Sequence, residues 1–342
     1  MTSNSRAIAL VLGGIGGAVL ARAWRTSRGM DFRDKSVVIF GGSRGLGLVL
    51  ARELAANDAR LVIAARNADE LERARQDLER HGARVTTEVC DIREREDVDR
   101  AISAIVARQG GIDVLINDAG IIQVGPIDHM TLSDFENAMA THFWGPLYSI
   151  RAALPHLRQS PTARIVNISS VGGKIAVPHL VPYCASKFAL TGLSEGLRAE
   201  LVKDGIRVTT VCPGLMRTGS TYNAWFKGNH RHEFAWFHIA DSLPGLSIDA
   251  RRAAHQIVEA CRYGEPELII TLPAKLAVVV NAAFPGFLSS AMTVANRALP
   301  GPDAGSGAQS RSGWQSVSRL APSRVTRQSD RATVENNQVP AG

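Results

Sequence analysis

The chain has 342 residues, of which 45% are hydrophobic and 21% are charged, with 39 basic and 32 acidic side chains. This balance excludes collagen-like, coiled-coil and wholly disordered chains. The net charge of +7 suggests a nucleic-acid-binding protein, but six of those charges lie in the terminal zones 1–30 and 301–342. The zone between them is nearly neutral and has no basic groove with interleaved aromatic residues. We therefore expect no nucleic-acid partner.

The N-terminal zone 1–30 contains an uncharged apolar stretch, 7–21, that is flanked by arginines. As a helix it would be about 22 Å long, which is shorter than a hydrocarbon core of about 30 Å. Our hypothesis is a cytoplasmic protein that residues 7–21 tether to the cytoplasmic face of a membrane, with the arginines on the cytoplasmic side. The alternative is an N-terminal helix that frays or packs against protein.

The middle zone 31–300 alternates short β-branched runs with helical patterns. The runs are continuously apolar, which is typical of strands that are buried on both faces of a parallel sheet. The pattern predicts an α/β fold, a doubly wound parallel sheet with helices on both faces. Strands are predicted at 36–40, 61–65, 85–89, 114–117, 164–169, 207–212 and 268–271.

Two predictions concern the C-terminal part of the chain. The uncharged stretch 276–296 is interrupted by Pro285-Gly286, so it predicts two short helices within about 273–298 rather than a membrane span. Residues 301–342 are rich in Gly, Ser, Pro and Arg and have few large apolar side chains. They predict a disordered tail.

A glycine-rich turn follows the first predicted strand and precedes a helical pattern. Its spacing is G-x-x-x-G-x-G, and such glycines permit a tight turn and a close approach of a pyrophosphate to a helix N-terminus. The turn therefore predicts a dinucleotide site with contacts from Gly41, Ser43, Arg44, Gly45, Leu46 and Gly47.

The end of the second predicted strand bears on the choice of dinucleotide. An acidic side chain there would bind the adenine ribose of NAD. This chain has instead the sequence Ala-Ala-Arg-Asn at 64–67, and Arg44 lies in the glycine-rich turn. Two guanidinium groups, from Arg44 and Arg66, favour NADP(H) over NAD(H) because they can bind a 2′-phosphate. The alternative is that both arginines are merely solvated.

A candidate catalytic group combines a phenol, an ammonium and a hydroxyl. Tyr183 and Lys187 are four residues apart and would share one face of a helix. A nearby cation favours phenolate, so we predict a lowered pKa for Tyr183 and a role in proton transfer. Ser170 ends an apolar strand, at the sheet edge where such folds bind their substrates.

Together these motifs resemble the short-chain dehydrogenase/reductase family over about residues 34–270. The resemblance implies a Rossmann-type fold in a single catalytic domain, NAD(P)-dependent carbonyl or alcohol chemistry, and a homodimer or homotetramer. Its motifs are the glycine-rich turn, Asn117-Asp118-Ala119-Gly120, Ser170, the Tyr183 and Lys187 pair, and Pro213-Gly214.

The resemblance also implies roles for individual residues. Tyr183 would be the general acid/base, Lys187 would bind the nicotinamide ribose and lower the pKa of the tyrosine, and Ser170 would orient the substrate carbonyl. Further cofactor contacts would come from Asp91, Ile92, Asn117, Ala119, Gly120, Pro213, Gly214 and Thr218, as well as from Tyr183 and Lys187.

Three positions depart from the family pattern. Phe40 stands where many members have threonine, and Asp118 replaces the second Asn of N-N-A-G. His142 stands where the family has an Asn that holds a water linking the lysine to solvent. Because imidazole can exchange protons near neutral pH, His142 is a candidate catalytic relay. The alternative is a histidine that is simply packed in a helix. No metal site is expected, since the other histidines match no common ligand spacing.

Six aromatic residues lie within 222–237, inside a predicted substrate lid at about 215–245. They predict a hydrophobic small-molecule substrate, and the alternative is an ordinary core or subunit contact. The predicted function is an NADP-preferring oxidoreductase for an apolar, lipid-like or steroid-like ketone or alcohol. Two alternatives are a reductase of fatty-acyl or sphingoid keto intermediates and a non-catalytic nucleotide-binding scaffold.

Overall fold

A computed structural model describes residues 29–302 and 309–339. Its centre is a sheet of seven parallel strands in the order β7-β6-β5-β4-β1-β2-β3. This confirms the predicted doubly wound sheet. The strands are β1 (Ser36–Phe40), β2 (Arg60–Ala65), β3 (Arg84–Val89), β4 (Val114–Asn117), β5 (Arg164–Ile168), β6 (Arg207–Pro213) and β7 (Glu267–Ile270).

Helices cover both faces of this sheet. The helices are α1 (Gly45–Ala55), α2 (Ala68–Arg80), α3 (Arg95–Gln109), α4 (Leu132–Met139), α5 (Gly145–Leu157), α6 (Val181–Leu201), α7 (His230–Ser242), α8 (Ala250–Tyr263), α9 (Leu272–Ala283), α10 (Pro285–Asn296) and α11 (Arg327–Glu335). Apolar residues of α1, α2 and α8 form the core on one face, and those of α3 and α5 form the core on the other.

The order of the strands indicates where the sheet binds its ligands. The chain passes from β1 outward to β2 and β3, and then returns to β4 on the other side of β1. In such sheets ligands bind beyond the carboxyl ends of the strands at this point of reversal. All seven predicted strands are present, and each end lies within one residue of its prediction.

The two short C-terminal helices are also present, as α9 and α10. Among the described residues, no helix combines the length and the apolar character that a membrane span requires. The predicted anchor at 7–21 lies outside the described residues.

The prediction of a disordered tail is wrong for residues 309–339. Arg311–Ser312 forms a short antiparallel pair with Trp225–Phe226, and α11 packs so that Ser329 and Thr333 are fully buried. The segment buries small polar side chains whose hydrogen bonds are satisfied, rather than large apolar ones. A prediction of disorder from the low content of large apolar residues is therefore wrong for this segment.

Candidate active site

A cleft of about 1220 Å³ lies at the carboxyl ends of the central strands. The glycine-rich turn, the ends of β2, β4, β5 and β6 and the start of α6 line it, together with parts of 215–241 and of the C-terminal segment. Ligand pockets usually have volumes of about 300–1,000 Å³. The cleft can therefore hold a large ligand such as a dinucleotide together with a substrate.

Two glycines of the turn allow the chain to pass very close to itself. Gly41 has a φ of 90°, and a Cβ at this position would lie 2.5 Å from the backbone nitrogen of Ala119. A Cβ on Gly47 would lie 2.2 Å from the carbonyl oxygen of Gly41. No other residue type fits these positions without displacing the backbone. The glycines thus hold the start of α1 against the end of β4.

The first turn of α1 leaves one amide for a ligand. The Gly45 N–H donates to the carbonyl oxygen of Asn336 at 2.9 Å, and the Gly47 N–H donates to the carboxylate of Asp118. Within the part of the chain that the structure describes, the Leu46 N–H has no hydrogen-bond acceptor. A free amide at a helix N-terminus attracts a phosphate. These residues therefore fit the pyrophosphate of a dinucleotide.

The two candidate arginines for a 2′-phosphate differ in their surroundings. Arg44 lies 3.4 Å from the carboxylate of Glu70 and is partly neutralised by it. The side chain of Arg66 is 52% exposed, and its nearest carboxylate is Asp91 at 4.0 Å. Arg66 is thus the freer cation in this part of the cleft. Glu70 was not predicted as part of this site. An Asn followed three residues later by Glu is nevertheless a typical sequence pattern for the start of a helix, here with Asn67 as the N-cap of α2.

Most of the predicted cofactor contacts do line the cleft, but two lie behind it. Asn117 is only 2% exposed, and its amide donates to Asn167 while it accepts from the Ser149 hydroxyl. Its side chain therefore joins β4 to β5 and α5. Gly47 packs against the turn itself, as described above. The predicted contacts that do line the cleft are Gly41, Ser43, Arg44, Gly45, Leu46, Arg66, Asp91, Ile92, Ala119, Gly120, Tyr183, Lys187, Pro213, Gly214 and Thr218.

The three candidate catalytic side chains meet at the centre of the cleft. Ser170 lies two residues beyond the end of β5, and Tyr183 and Lys187 lie on the first two turns of α6. The hydroxyl groups of Ser170 and Tyr183 are hydrogen-bonded to each other. The Lys187 ammonium donates to the Ile168 carbonyl at 2.8 Å and lies 5.7 Å from the centre of the Tyr183 ring. The predicted grouping is therefore present.

Burial governs the electrostatics of this group. It raises the pKa of Tyr183, and the hydrogen bond with Ser170 only partly offsets this rise. The predicted lowering of this pKa is thus wrong for this arrangement, because the removal of water from the phenolate is the largest influence on it. Burial lowers the pKa of Lys187 to about 8, against the attraction of Asp118. Burial also raises the pKa of Asp118 to about 7, against the attraction of Lys187.

His142 lies in a π-helical turn, Ala140–Trp144, between α4 and α5. Its Nε2 accepts from the Ile121 N–H at 3.1 Å, so Nδ1 carries the proton and donates to the Ser186 hydroxyl at 2.7 Å. That hydroxyl in turn donates to the Tyr183 carbonyl. Burial, reinforced by the charge of Lys187, lowers the pKa of His142, so the ring is neutral. Both nitrogens are engaged, which favours a packed histidine over a relay.

The aromatic residues of 222–237 divide into two groups. Tyr222, Phe226 and Phe234 lie in a buried apolar cluster, as the alternative interpretation expected. Trp225, Trp236 and Phe237 line the cleft, although Phe237 also belongs to this cluster and Trp236 packs against it. Trp314, from the C-terminal segment, lines it as well and lies 4.5 Å from Tyr222, measured between ring centres.

Residues 35–227 match the profile of the short chain dehydrogenase family. The chain therefore belongs to this family. It is an oxidoreductase that acts on CH–OH or C=O groups of a small-molecule substrate, and the family binds NAD(P).

Individual relatives and solved structures agree with this assignment. SadH of Mycobacterium tuberculosis is 34% identical over 256 residues, which cover 73% of this chain and 91% of SadH. Dehydrogenase/reductase SDR family member 7B of Danio rerio is 31% identical, over 81% of this chain and 90% of that protein. A gluconate 5-dehydrogenase of Burkholderia cenocepacia, crystallised with NADP and tartrate, has a TM-score of 0.62 and 26% identity. That match covers 72% of this chain and 97% of the dehydrogenase.

Proposed function

We propose that the protein is an NADP-preferring oxidoreductase that transfers hydride between the nicotinamide and an apolar ketone or alcohol. The observation that carries this proposal is the pairing of the Tyr183 and Ser170 hydroxyls beside Lys187, in a cleft that aromatic side chains line. The two hydroxyls beside Lys187 support proton transfer to a carbonyl oxygen, and the aromatic side chains support an apolar substrate.

The preference for NADP(H) is supported by the charges around the glycine-rich turn. Arg66 is half exposed and only loosely paired, so it is available to a 2′-phosphate, and Arg44 stands beside it with Glu70 as partner. The Leu46 N–H would hold the pyrophosphate, and Lys187 would hold the nicotinamide ribose. The bound nicotinamide would supply or accept the hydride.

Tyr183 would supply the proton in the direction of reduction. Because burial raises its pKa, the phenol is protonated at neutral pH and can donate its proton to the substrate oxygen. The carbonyl carbon gains a hydride and the oxygen gains this proton, so the product is an alcohol. Ser170 would orient the carbonyl, and the Lys187 ammonium would stabilise the phenolate that remains.

An apolar substrate is supported by the walls of the cleft near these groups. Trp225, Trp236 and Phe237 come from the segment after β6, and Trp314 comes from the C-terminal segment. Such side chains bury large apolar areas and contribute few hydrogen bonds. Lipid-like and steroid-like ketones fit these walls better than sugars do.

A substrate panel tests this proposal. Oxidation of NADPH would be followed with apolar ketones, such as decalones and long-chain keto esters, and with polar ones, such as keto-gluconates. We expect kcat/KM to be at least about tenfold higher for the apolar set and for NADPH over NADH. A preference for keto-gluconates, or for NADH, would contradict the corresponding part of the proposal.

We also propose that the protein is a homo-oligomer and is held at the cytoplasmic face of a membrane. Exposed apolar side chains of α9 and α10 support association with a membrane or with another copy of the chain. Leu276, Val279 and Phe287 are each more than half exposed. Carbonate washing of membranes, with the full chain and a form that lacks residues 1–30, tests the tether. An equal distribution of the two forms would contradict it.

A further inference from the structure

The segment 327–339, which we call the strap, joins two walls of the cofactor cleft. On one side, the carbonyl oxygen of Asn336 accepts from the Gly45 N–H at 2.9 Å, at the start of α1. On the other side, the Asn336 amide donates to the Thr218 carbonyl at 3.4 Å. Both Gly45 and Thr218 line the cleft. The strap therefore lies against the cofactor-binding wall and the lid segment at once.

Several further hydrogen bonds fix the strap in this position. The carboxylate of Asp330 accepts from the Tyr222 hydroxyl at 2.7 Å and lies 2.9 Å from His238 Nε2. The Asn337 amide donates to the carbonyl oxygens of Ser43 and Glu70, at 2.9 and 3.1 Å. These partners belong to the lid, the glycine-rich turn and α2. A segment held at so many points has a defined position relative to the cleft.

One side chain of the strap faces the N-terminus of α1. Gln338 lines the cleft and is only 3% exposed. Its Oε1 accepts from the Asn223 amide at 2.6 Å, which fixes the orientation of its own amide. Its Nε2 then lies beside Gly45, 2.5 Å from where a Cβ on that glycine would stand. Among the residues described, no acceptor is hydrogen-bonded to this Nε2.

We propose that the strap is part of the dinucleotide site, and that Gln338 Nε2 donates a hydrogen bond to the pyrophosphate beside the Leu46 N–H. Both donors lie at the N-terminus of α1, and neither has an acceptor among the residues that the structure describes. The cleft remains open with the strap in place, so the strap adds to the site rather than filling it. This inference rests on the dinucleotide binding in the proposed function.

Binding of NADPH by Gln338→Glu tests the inference. This variant keeps the shape of the side chain and the oxygen that Asn223 binds, but it turns the donor toward the pyrophosphate into an acceptor with a negative charge. We expect the Kd for NADPH, measured by quenching of tryptophan fluorescence, to rise at least tenfold. The rise should shrink with added salt. Gln338→Ala, which only removes the donor, should give a rise of about three- to tenfold.

Two controls separate the possible outcomes. Gln159→Ala, at an exposed glutamine just after α5 that does not line the cleft, should leave the Kd unchanged. Adenosine 2′-monophosphate, which lacks the pyrophosphate, should bind the wild type and the Gln338 variants equally. Failure of the wild type to bind either nicotinamide dinucleotide would overturn the proposed function. If the wild type binds NADPH and Gln338→Ala binds it with an unchanged or lower Kd, the role of the strap would be overturned and the proposed function would stand. Gln338→Ala also tests the role of the strap if Gln338→Glu does not fold.

Discussion

At the scale of single residues, burial sets the charges of the catalytic group. The Tyr183 phenol is kept protonated, while Lys187 and Asp118 share a buried site in which each favours the charged form of the other. Asp118 replaces the second Asn of the family pattern N-N-A-G, so a carboxyl group stands at this position in place of a neutral amide. It bears directly on the range of pH in which Lys187 stays charged.

Asp118→Asn should therefore shift the pH dependence of turnover. Activity requires a charged Lys187, so kcat/KM should fall as the pH rises through the lysine pKa of about 8. Loss of the Asp118 carboxylate removes an attraction that raises this pKa. The basic limb should then lie at lower pH in the variant. Profiles of kcat/KM against pH check this, with the exposed Asp128→Asn as control, and an unmoved limb would count against the coupling.

The choice of cofactor is also decided by single side chains. Arg66→Ala should raise the KM for NADPH about tenfold, since it removes a charge-assisted contact to the 2′-phosphate, and should change the KM for NADH less than twofold. Arg80→Ala, a 73% exposed arginine of α2, is the matched control. Equal losses for both cofactors would show that Arg66 does not recognise the 2′-phosphate.

At the scale of elements, the π-helical turn between α4 and α5 joins the end of β4 to α6. His142 makes this connection, because it bonds to the Ile121 N–H after β4 and to Ser186 on α6. The ring also packs edge-on against Tyr183, at 5.4 Å between ring centres. Its effect on catalysis is thus expected through the position of α6.

His142→Ala should reduce stability more than chemistry. It leaves the Ile121 N–H without its acceptor, removes the donor to the Ser186 hydroxyl and opens a cavity, so the free energy of unfolding should fall by about 2–4 kcal/mol. Urea unfolding measures this, with the exposed His232→Ala as control. Unchanged stability together with a large loss of kcat would instead indicate a proton relay.

The elements differ in how well the sequence predicts them. The seven central strands are predictable because both of their faces are buried, which leaves continuous apolar runs such as Ser36–Phe40. The catalytic residues are predictable because helix geometry brings Tyr183 and Lys187 to one face. The hydrogen bonds of His142, the burial of Asn117 and the position of Gln338 depend on partners far away in the chain. No local pattern encodes them.

At the scale of the whole molecule, the C-terminal segment connects distant parts of the chain. Asp330 accepts hydrogen bonds from Tyr222 and from Thr326, and lies within hydrogen-bonding distance of His238. Asp330→Ala removes the acceptor of the Tyr222 hydroxyl and one hydrogen-bond partner each of Thr326 and His238, so we expect the free energy of unfolding to fall by about 2–4 kcal/mol. Thermal unfolding checks this, with Val334→Ala as control. Equal stability of both variants would show that the segment contributes little to the fold.

The central claim is that this cleft reduces a carbonyl group with Tyr183 as the proton donor. The most direct measurement compares wild type and Tyr183→Phe for binding of NADPH and for its oxidation with the best ketone of the substrate panel. We predict that the variant binds NADPH within about twofold of wild type and loses kcat by at least about 10²-fold. Turnover that persists at the wild-type rate in the folded, cofactor-binding variant would contradict the account.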